Sequence, residues 1–425
     1  MPTLAEVLEG AVGGFRAPGA VVVVQRNGTE PETASAHIDP SSLFEIGSVA
    51  KTMTALLVLQ HAQSGIIGLD DPITTYLPDF HIASEGATQR VTIRHLLTHT
   101  SGLDCGDDFT DTGDGDDCLE RFVMEVLPEV GLLHEPGERW SYCNGGYSIL
   151  GHLLEVLSGS PWDDLLIERV IDPLGLSATT TARLGPQHRI VTGHRYDPTT
   201  RCLVEESGRM PRSAGPAGNV VATAFDLVRF SETLFSGTDH LLDPTLVNEM
   251  ITPQFPIREG HQGLAWVLPR ANVAVHGGST RGWTAFLAAI PGFGSLSVVA
   301  DGPGAGAIAG EIQAHLFGSV PRREPVPSNL APIDLEACVG RFARRHVQIT
   351  IDLQDDNLVA ASTWSGPAAD LFPPVEPVVL EPIGGASFIS RRDYEDGFAT
   401  WDFDDLSSDG LPSRLLTRRL TNRVS

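Results

Sequence analysis

A chain of 425 residues with 41% hydrophobic side chains has material for two folded domains, one of them large. Its 29 basic against 54 acidic side chains give a formal charge of −25. That excludes the basic patches which nucleic acid and anionic membrane surfaces require, and no run of 18 apolar residues offers a membrane span.

The opening Met-Pro-Thr-Leu-Ala-Glu-Val-Leu-Glu lacks a basic start and a long apolar core, so it does not read as a signal peptide, and the expected location is the cytoplasm. Ala20–Gln25 is a continuous run rich in valine and reads as a central strand of a covered sheet. Leu43–Ile46 reads as extended and delivers Ser48 to the mouth of a helix. Ala55-Leu-Leu-Val-Leu59 makes that helix apolar nearly all round, so it is expected to be buried and to stop near Gly65. Thr92–Leu103 reads as a short helical stretch closed by a turn.

Residues Asp104–Asp117 are rich in Asp, Gly and Thr but lack the Asp-x-Asp-x-Asp-Gly order of a calcium loop, and read as a solvated lid. Cys105 and Cys118 bracket this loop. With five cysteines and no Cys-x-x-Cys or His-Glu-x-x-His, free thiols and no metal site are expected. After the turn-rich Pro136–Tyr147, Ser148–Leu157 has the spacing of an amphipathic helix ended by Gly159 and Pro161. Thr223-Ala-Phe-Asp226 has capping-box spacing and opens a helix through Leu234.

Val273–Ser279 reads as an edge strand. Phe286–Ile290 and Ser295–Asp301 add two strands of an antiparallel meander, and 305–317 reads as a helix. The proline-rich stretch 320–332 is the expected linker. Beyond it Val347–Leu353 alternates strictly, Asp355-Asp-Asn357 signals a turn, and short strands continue to Val424, as in a small β-barrel or sandwich. The expected division is therefore a catalytic domain over 1–319, a linker over 320–332 and a barrel over 333–425.

Chemistry concentrates at Phe44-Glu-Ile-Gly-Ser-Val-Ala-Lys51. At helical spacing Ser48 and Lys51 share one face, a hydroxyl and an amine within reach of one proton. Lys51 is also the only lysine among the 29 basic residues. Arginine has replaced lysine wherever either cation serves; it fails where the group must shed its proton, because guanidinium does not. A free lysine has a pKa of about 10.4, and lowering it to about 7 costs roughly 4–5 kcal/mol of discrimination against the ammonium. Burial on an apolar helix works in that direction.

Three pieces lie in order: Ser48-Val-Ala-Lys51, Tyr142-Cys-Asn144 and His276-Gly-Gly278. Together with Leu96-Leu-Thr-His-Thr-Ser-Gly-Leu103 and Pro216-Ala-Gly218, they resemble the serine hydrolase family of class C β-lactamases, D-alanyl-D-alanine carboxypeptidases, D-aminopeptidases and related esterases. The resemblance covers about residues 5–320. It implies an α/β (α+β) fold: an antiparallel sheet flanked by helices with an all-helical subdomain. The segment after the linker is similar to the lipocalin-like barrel that some members carry.

The resemblance further implies that Ser48 is the nucleophile, Lys51 its base and Tyr142 the proton relay, while Asn144 holds Lys51 and the substrate amide. His276 stands where β-lactamases have lysine and would orient Tyr142 or contact a substrate carboxylate. Gly277 and Gly278 would let substrate backbone approach. The main-chain N–H groups of Ser48 and Ser279 would form the oxyanion hole. Asn219 stands where many members have glycine, which would place a side chain at the pocket rim. Cys143 reads as a packed thiol.

The implied substrate is a small peptide, amide or ester, with D-configured residues in view. Some barrel-bearing members resemble thioesterases that cyclise a peptidyl chain from a carrier-protein thioester; an acidic surface does not favour docking an acidic carrier. An acylated sensor without turnover is a third reading. Arg414, Arg418, Arg419 and Arg423 crowd the last strands, either as solvated surface or with one reaching the cleft to bind a carboxylate.

Overall fold

The valine run forms a strand, Ala20–Arg26, inside an eight-stranded sheet, flanked by Glu32–Ala36 at one edge and Gly294–Ala300 on the other side. Its side chains alternate between two cores. Val21 and Val23 join the large core that holds the Ser48–Lys51 helix, while Val22 and Val24 meet the helices Leu4–Ala11 and Ala305–Phe317. Burial on both faces is why the run carries no polar alternation. The sheet continues through Thr284–Ile290, Val273–Ser279, Val267–Arg270, Gly260–Gln262 and Phe255–Ile257, all antiparallel. This computed structural model describes every residue except 1, 14–15, 85, 182, 184–189, 233–240, 272, 291, 319–332, 372–374, 392–398 and 408–409, and the side chain of 370.

Val273–Ser279 is not the edge strand that its sequence suggests. It has a neighbour on each side, but Val267–Arg270 pairs only with its Val273–Val275 end. The half that carries His276–Ser279 therefore has one edge unpaired by any described strand. Only that half behaves as an edge, and it is the half beside Ser48.

Between Ala50 and Leu174 the chain is mostly helical. The helix Ala50–Gln63 is buried on every side from Ala50 to Leu59, as its apolar run requires, and Gly65 follows in the left-handed region. Its two buried threonines spend their hydroxyls on the oxygens of Val49 and Pro216. A second helix, Gly145–Ser158, starts three residues before the amphipathic pattern because Gly145, Gly146 and Tyr147 are also buried, and Gly159 ends it at φ 72°. Thr223 caps the helix Ala224–Ser231, but only half of the capping box forms: the Asp226 carboxylate accepts from the Ala178 N–H and the Thr179 hydroxyl instead. That helix stops short of Leu234, which lies outside the described residues.

The last part of the chain is a closed antiparallel barrel of eight strands from Gly340–Arg344 to Leu420–Arg423, with first and last paired. Its interior is filled by Phe342, Ile351, Phe388, Trp401, Phe403 and Leu415. Asp355 and Asp356 both take left-handed φ in a two-residue hairpin turn. The expected linker lies outside the described residues. No described helix is long and apolar enough to cross a membrane.

Only the second half of the acidic loop is solvated: Asp111 and Asp114–Asp117 are exposed, whereas Cys105–Phe109 are buried. Asp107 and Asp108 are buried against the barrel, where Arg344 Nε donates to Asp107 Oδ2 and Arg345 Nε to Asp108 Oδ2, each at 2.7 Å. Burial pushes both carboxyls up, but Arg419 and Arg344 at Asp107, and the Thr110 hydroxyl followed by Arg345 at Asp108, outweigh it and hold them below their usual value. Arg344 shares its single carboxylate with Arg419, and burial depresses its own pKa. A second contact joins Arg139 to Asp404 and Asp405 of the barrel.

Candidate active site

Lys51 is the second residue of the buried helix Ala50–Gln63 and has no exposed surface, and Ser48, half-buried, lies in the tight turn Gly47–Val49 just before it. Nζ lies 3.1 Å from Ser48 Oγ, 2.7 Å from Asn144 Oδ1 and 2.5 Å from the Ala217 oxygen. Asn144 Oδ1 and the Ala217 carbonyl can only accept. A neutral amine has two protons and one lone pair, so two donated hydrogen bonds leave the lone pair for the Ser48 hydroxyl. Burial lowers the Lys51 pKa; Tyr142 opposes that shift, and Arg418 and Arg419 add to it.

Tyr142 is buried beside this pair, with Lys51 Nζ 5.0 Å from its ring centre. Its hydroxyl makes no hydrogen bond among the described residues. Burial raises the phenol, but the positive charge of Lys51 and Arg418 and the neighbouring Ser48 outweigh it, and the net shift is downward. The ring stacks on His99 at 4.2 Å, and His99 Nδ1 accepts the Cys143 N–H at 3.1 Å. Asn144 is fixed from both ends, since its Nδ2 donates to the Gly106 oxygen at 2.8 Å.

His276 is buried on its strand with Nδ1 2.7 Å from the Gly277 oxygen. That contact makes Nδ1 the donor and leaves Nε2 as an acceptor, the tautomer being assigned from the bond. Burial, with Lys51 second, pushes its pKa down to about 3, so the ring is neutral at physiological pH. As a neutral acceptor Nε2 is matched to a hydroxyl donor rather than to a carboxylate.

Along the same strand Gly277 and Ser279 are exposed while His276 and Gly278 are buried. A Cβ at Gly278 would stand 1.9 Å from the Ile46 oxygen and 3.1 Å from the Ser48 nitrogen. Gly278 is thus required by the turn that carries Ser48, whereas Gly277 faces open space. A Cβ at Gly47 would likewise meet the Ser279 nitrogen, so the two expected oxyanion donors lie on touching segments.

Asn219 does not line a rim. It is buried, and its Nδ2 donates to the Met210 oxygen at 2.9 Å, so it reaches the cleft only through that segment. All five cysteines are free thiols, and the neighbour of Cys105 is Cys143, with sulfurs 3.5 Å apart, rather than Cys118.

The four crowded arginines divide. Arg414 pairs with Asp405, and Arg423 donates to the oxygens of Ala337, Val339 and Pro412. Arg418 and Arg419 reach the site. The Arg418 guanidinium lies 4.2 Å from the Tyr142 ring centre and has no carboxylate partner among the described residues, and Arg419 lies at 5.3 Å. Neither composition nor local pattern distinguishes these two from the others. The Ala217 and Gly106 carbonyls were missed because main-chain acceptors leave no residue-type signal. His99 sits inside a noted run, Leu96–Leu103, but without an assigned role.

An antiparallel sheet flanked by helices, with a Ser-x-x-Lys turn at the head of a buried helix and a glycine strand beside it, defines the class of serine β-lactamases and penicillin-binding proteins. The chain belongs to that family: the model described as Beta-lactamase matches residues 4–300. It is 33% identical over 356 residues to penicillin-binding protein 4 of Amycolatopsis lactamdurans, which spans 74% of this chain and 92% of that protein. Among solved structures, SurE superposes with a TM-score of 0.75 at 21% identity over 99% of this chain and 98% of its own. A D-stereospecific amidohydrolase from Streptomyces sp. superposes at 0.61 with 26% identity over 74% of this chain and 98% of its own. Members of the family are serine hydrolases and acyltransferases.

Proposed function

We propose that this chain is a serine hydrolase acting through an acyl-enzyme on a peptide, amide or ester bond of a small substrate. The observation that carries this reading is the place of Lys51: its fully buried Nζ lies 3.1 Å from Ser48 Oγ, and burial favours the neutral amine, which can keep two donated bonds to Asn144 and Ala217 and turn its lone pair to Ser48. Ser48 Oγ bonds to the substrate carbonyl carbon as its proton passes to Lys51. The main-chain N–H groups of Ser48 and Ser279 receive the developing oxyanion, each donor worth about 3–4 kcal/mol. Once Lys51 has taken that proton its charge lowers the Tyr142 pKa, and the phenol passes a proton to the leaving group as the carbonyl–leaving-group bond breaks. Water then attacks the acyl carbon and restores Ser48.

The free strand edge with exposed Gly277 and Ser279 accepts substrate backbone, and the uncommitted Arg418 accepts a substrate carboxylate. D-configured substrates are supported by the likeness to the D-stereospecific amidohydrolase. The test is turnover of D- and L-amino acid amides, p-nitrophenyl esters and peptidyl thioesters, with products and the Ser48 adduct read by mass spectrometry. Hydrolysed acid, D over L, with Ser48→Ala inactive, is the expected result. Absence of any Ser48 adduct, or an adduct that never turns over, overturns it.

A second reading is cyclisation of a peptidyl thioester, in which a substrate amine replaces water. Its support is the likeness over nearly the whole chain to SurE, together with the barrel turn that binds the Tyr142 main chain. Release of thiol with the mass of a cyclic product, in the same assay, decides for it.

A further inference from the structure

Both polar groups of the Tyr142 main chain are committed to the barrel. Its N–H donates to the Arg418 oxygen at 3.3 Å, and its oxygen accepts from Arg419 Nε at 3.1 Å. One residue earlier, Ser141 Oγ accepts the Leu420 N–H at 3.1 Å. Residues 417–419 are the turn between the last two barrel strands, Pro412–Leu416 and Leu420–Arg423.

Arg419 is itself held. Its Nη1 lies 3.1 Å from Oδ1 of the buried Asp107, whose other oxygen takes Arg344. Gly106 makes room for this contact. A Cβ there would stand 2.8 Å from the Tyr142 oxygen and 3.0 Å from both Cδ and Nε of Arg419. Gly106 has no left-handed φ, so it is a glycine for space and not for conformation. The phenol oxygen of Tyr142 has Ser48 and Lys51 near it but makes no well-aligned hydrogen bond, so stacking and the main chain do much to place the ring.

We infer that Arg419 is a positioning residue for Tyr142, holding its main-chain oxygen so that the barrel completes the active site. The inference rests on the reading of Tyr142 as proton carrier. Without Arg419 the oxygen loses its side-chain donor and the segment is free to shift, and a displacement of about 1 Å costs up to roughly 100-fold in rate. Arg419 also adds positive charge near Lys51, whose other titratable or charged neighbours are Tyr142, His99, His276 and Arg418.

The test uses the full chain and the turnover of an amino acid amide, whose amine leaving group, unlike p-nitrophenolate, must be protonated as it departs. Arg419→Ala is expected to lower kcat per folded molecule by roughly 10- to 100-fold with KM within about threefold, beside a lower thermal midpoint because the buried Asp107 loses one of its two arginines. The acid limb of its pH profile moves to higher pH, because a charge that depresses Lys51 is gone. Arg419→Lys returns the limb but not the plateau rate, and Gly106→Ala, which displaces Arg419 without removing its charge, lowers the plateau alone. In a Tyr142→Phe background the loss of Arg419 adds less than about twofold.

A full plateau rate in Arg419→Ala, a loss confined to KM, a loss that tracks the folded fraction, or equal losses in both backgrounds would each overturn the inference. A fully active Tyr142→Phe enzyme would sink the proton-carrier reading, and this inference with it. An inactive Tyr142→Phe beside an unaffected Arg419→Ala would sink the inference alone.

Discussion

Asn144 Oδ1 lies 2.7 Å from Lys51 Nζ, and the same amide donates to Gly106, so the acceptor facing the amine cannot be exchanged for the donor by a flip of the amide. An isosteric carboxylate there would favour the ammonium. Asn144→Asp is therefore expected to raise the Lys51 pKa and move the acid limb of kcat/KM upward, with about a tenfold loss at neutral pH for each unit of rise. Partial recovery at alkaline pH separates this from simple damage. A profile with an unmoved acid limb would contradict Lys51 as the base.

Lys51→Arg tests the same base from the other side. Guanidinium stays charged at every working pH, so the lone pair is lost while the charge is kept. Labelling of Ser48 by a fluorophosphonate probe should fall by roughly 10⁴-fold or more, towards the blank given by Ser48→Ala, which has no hydroxyl to label. In the wild-type enzyme kcat/KM should rise as Lys51 loses its proton, at a pH below that of an ordinary lysine. A labelled, active Lys51→Arg enzyme ends the proposal.

The catalytic face was legible because its chemistry is carried by residue types at fixed spacing: Ser48 and Lys51 one helical turn apart, and then Tyr142-x-Asn144 and His276-Gly-Gly. The sheet was legible where it is apolar on both faces, as at Val21–Val24. What sequence could not show was pairing across long separations. The acidic stretch 104–117 reads as a solvated lid and Arg419 as one of four crowded arginines, and only folding brings Asp107 and Asp108 together with Arg344, Arg345 and Arg419 as buried pairs. His276 looked like a cation replacing lysine, but burial strips it of charge, and burial is a property of the neighbours. Asn219 looked like a rim residue for the same reason.

The buried clamp carries a stability prediction. Asp107→Asn leaves Arg344 without its carboxylate in a site that excludes water, a change worth about 3–5 kcal/mol by analogy with other broken buried pairs. Chemical denaturation of the full chain measures it. Asp107 and Asp108 have folded pKa values below the ordinary 3.8, so their contribution is present above that value and lost as pH falls through the lower folded values. Asp104, raised by burial, works the other way and softens the slope. The denaturation midpoint should therefore hold between about pH 7 and 5 and fall below about pH 4. An Asp107→Asn protein as stable as wild type would show that the clamp contributes nothing.

The two glycines after His276 should part company when each becomes alanine. At Gly278 the added methyl would collide with the Ile46 oxygen, and the Ser48 nitrogen lies just beyond. Neither main-chain atom can swing away as a side-chain end would, so the strand and the Ser48 turn must separate. Gly278→Ala should thus lose stability and Ser48 labelling together. At Gly277 the methyl finds only the Ala285 oxygen at 4.0 Å and points to the open side of the strand. Gly277→Ala should melt within about 0.5 kcal/mol of wild type and keep its labelling by a small probe. Its KM for peptide or amide substrates should rise severalfold, because the methyl occupies the space where substrate backbone lies along the free edge. An unchanged KM in Gly277→Ala would move the substrate path away from this strand.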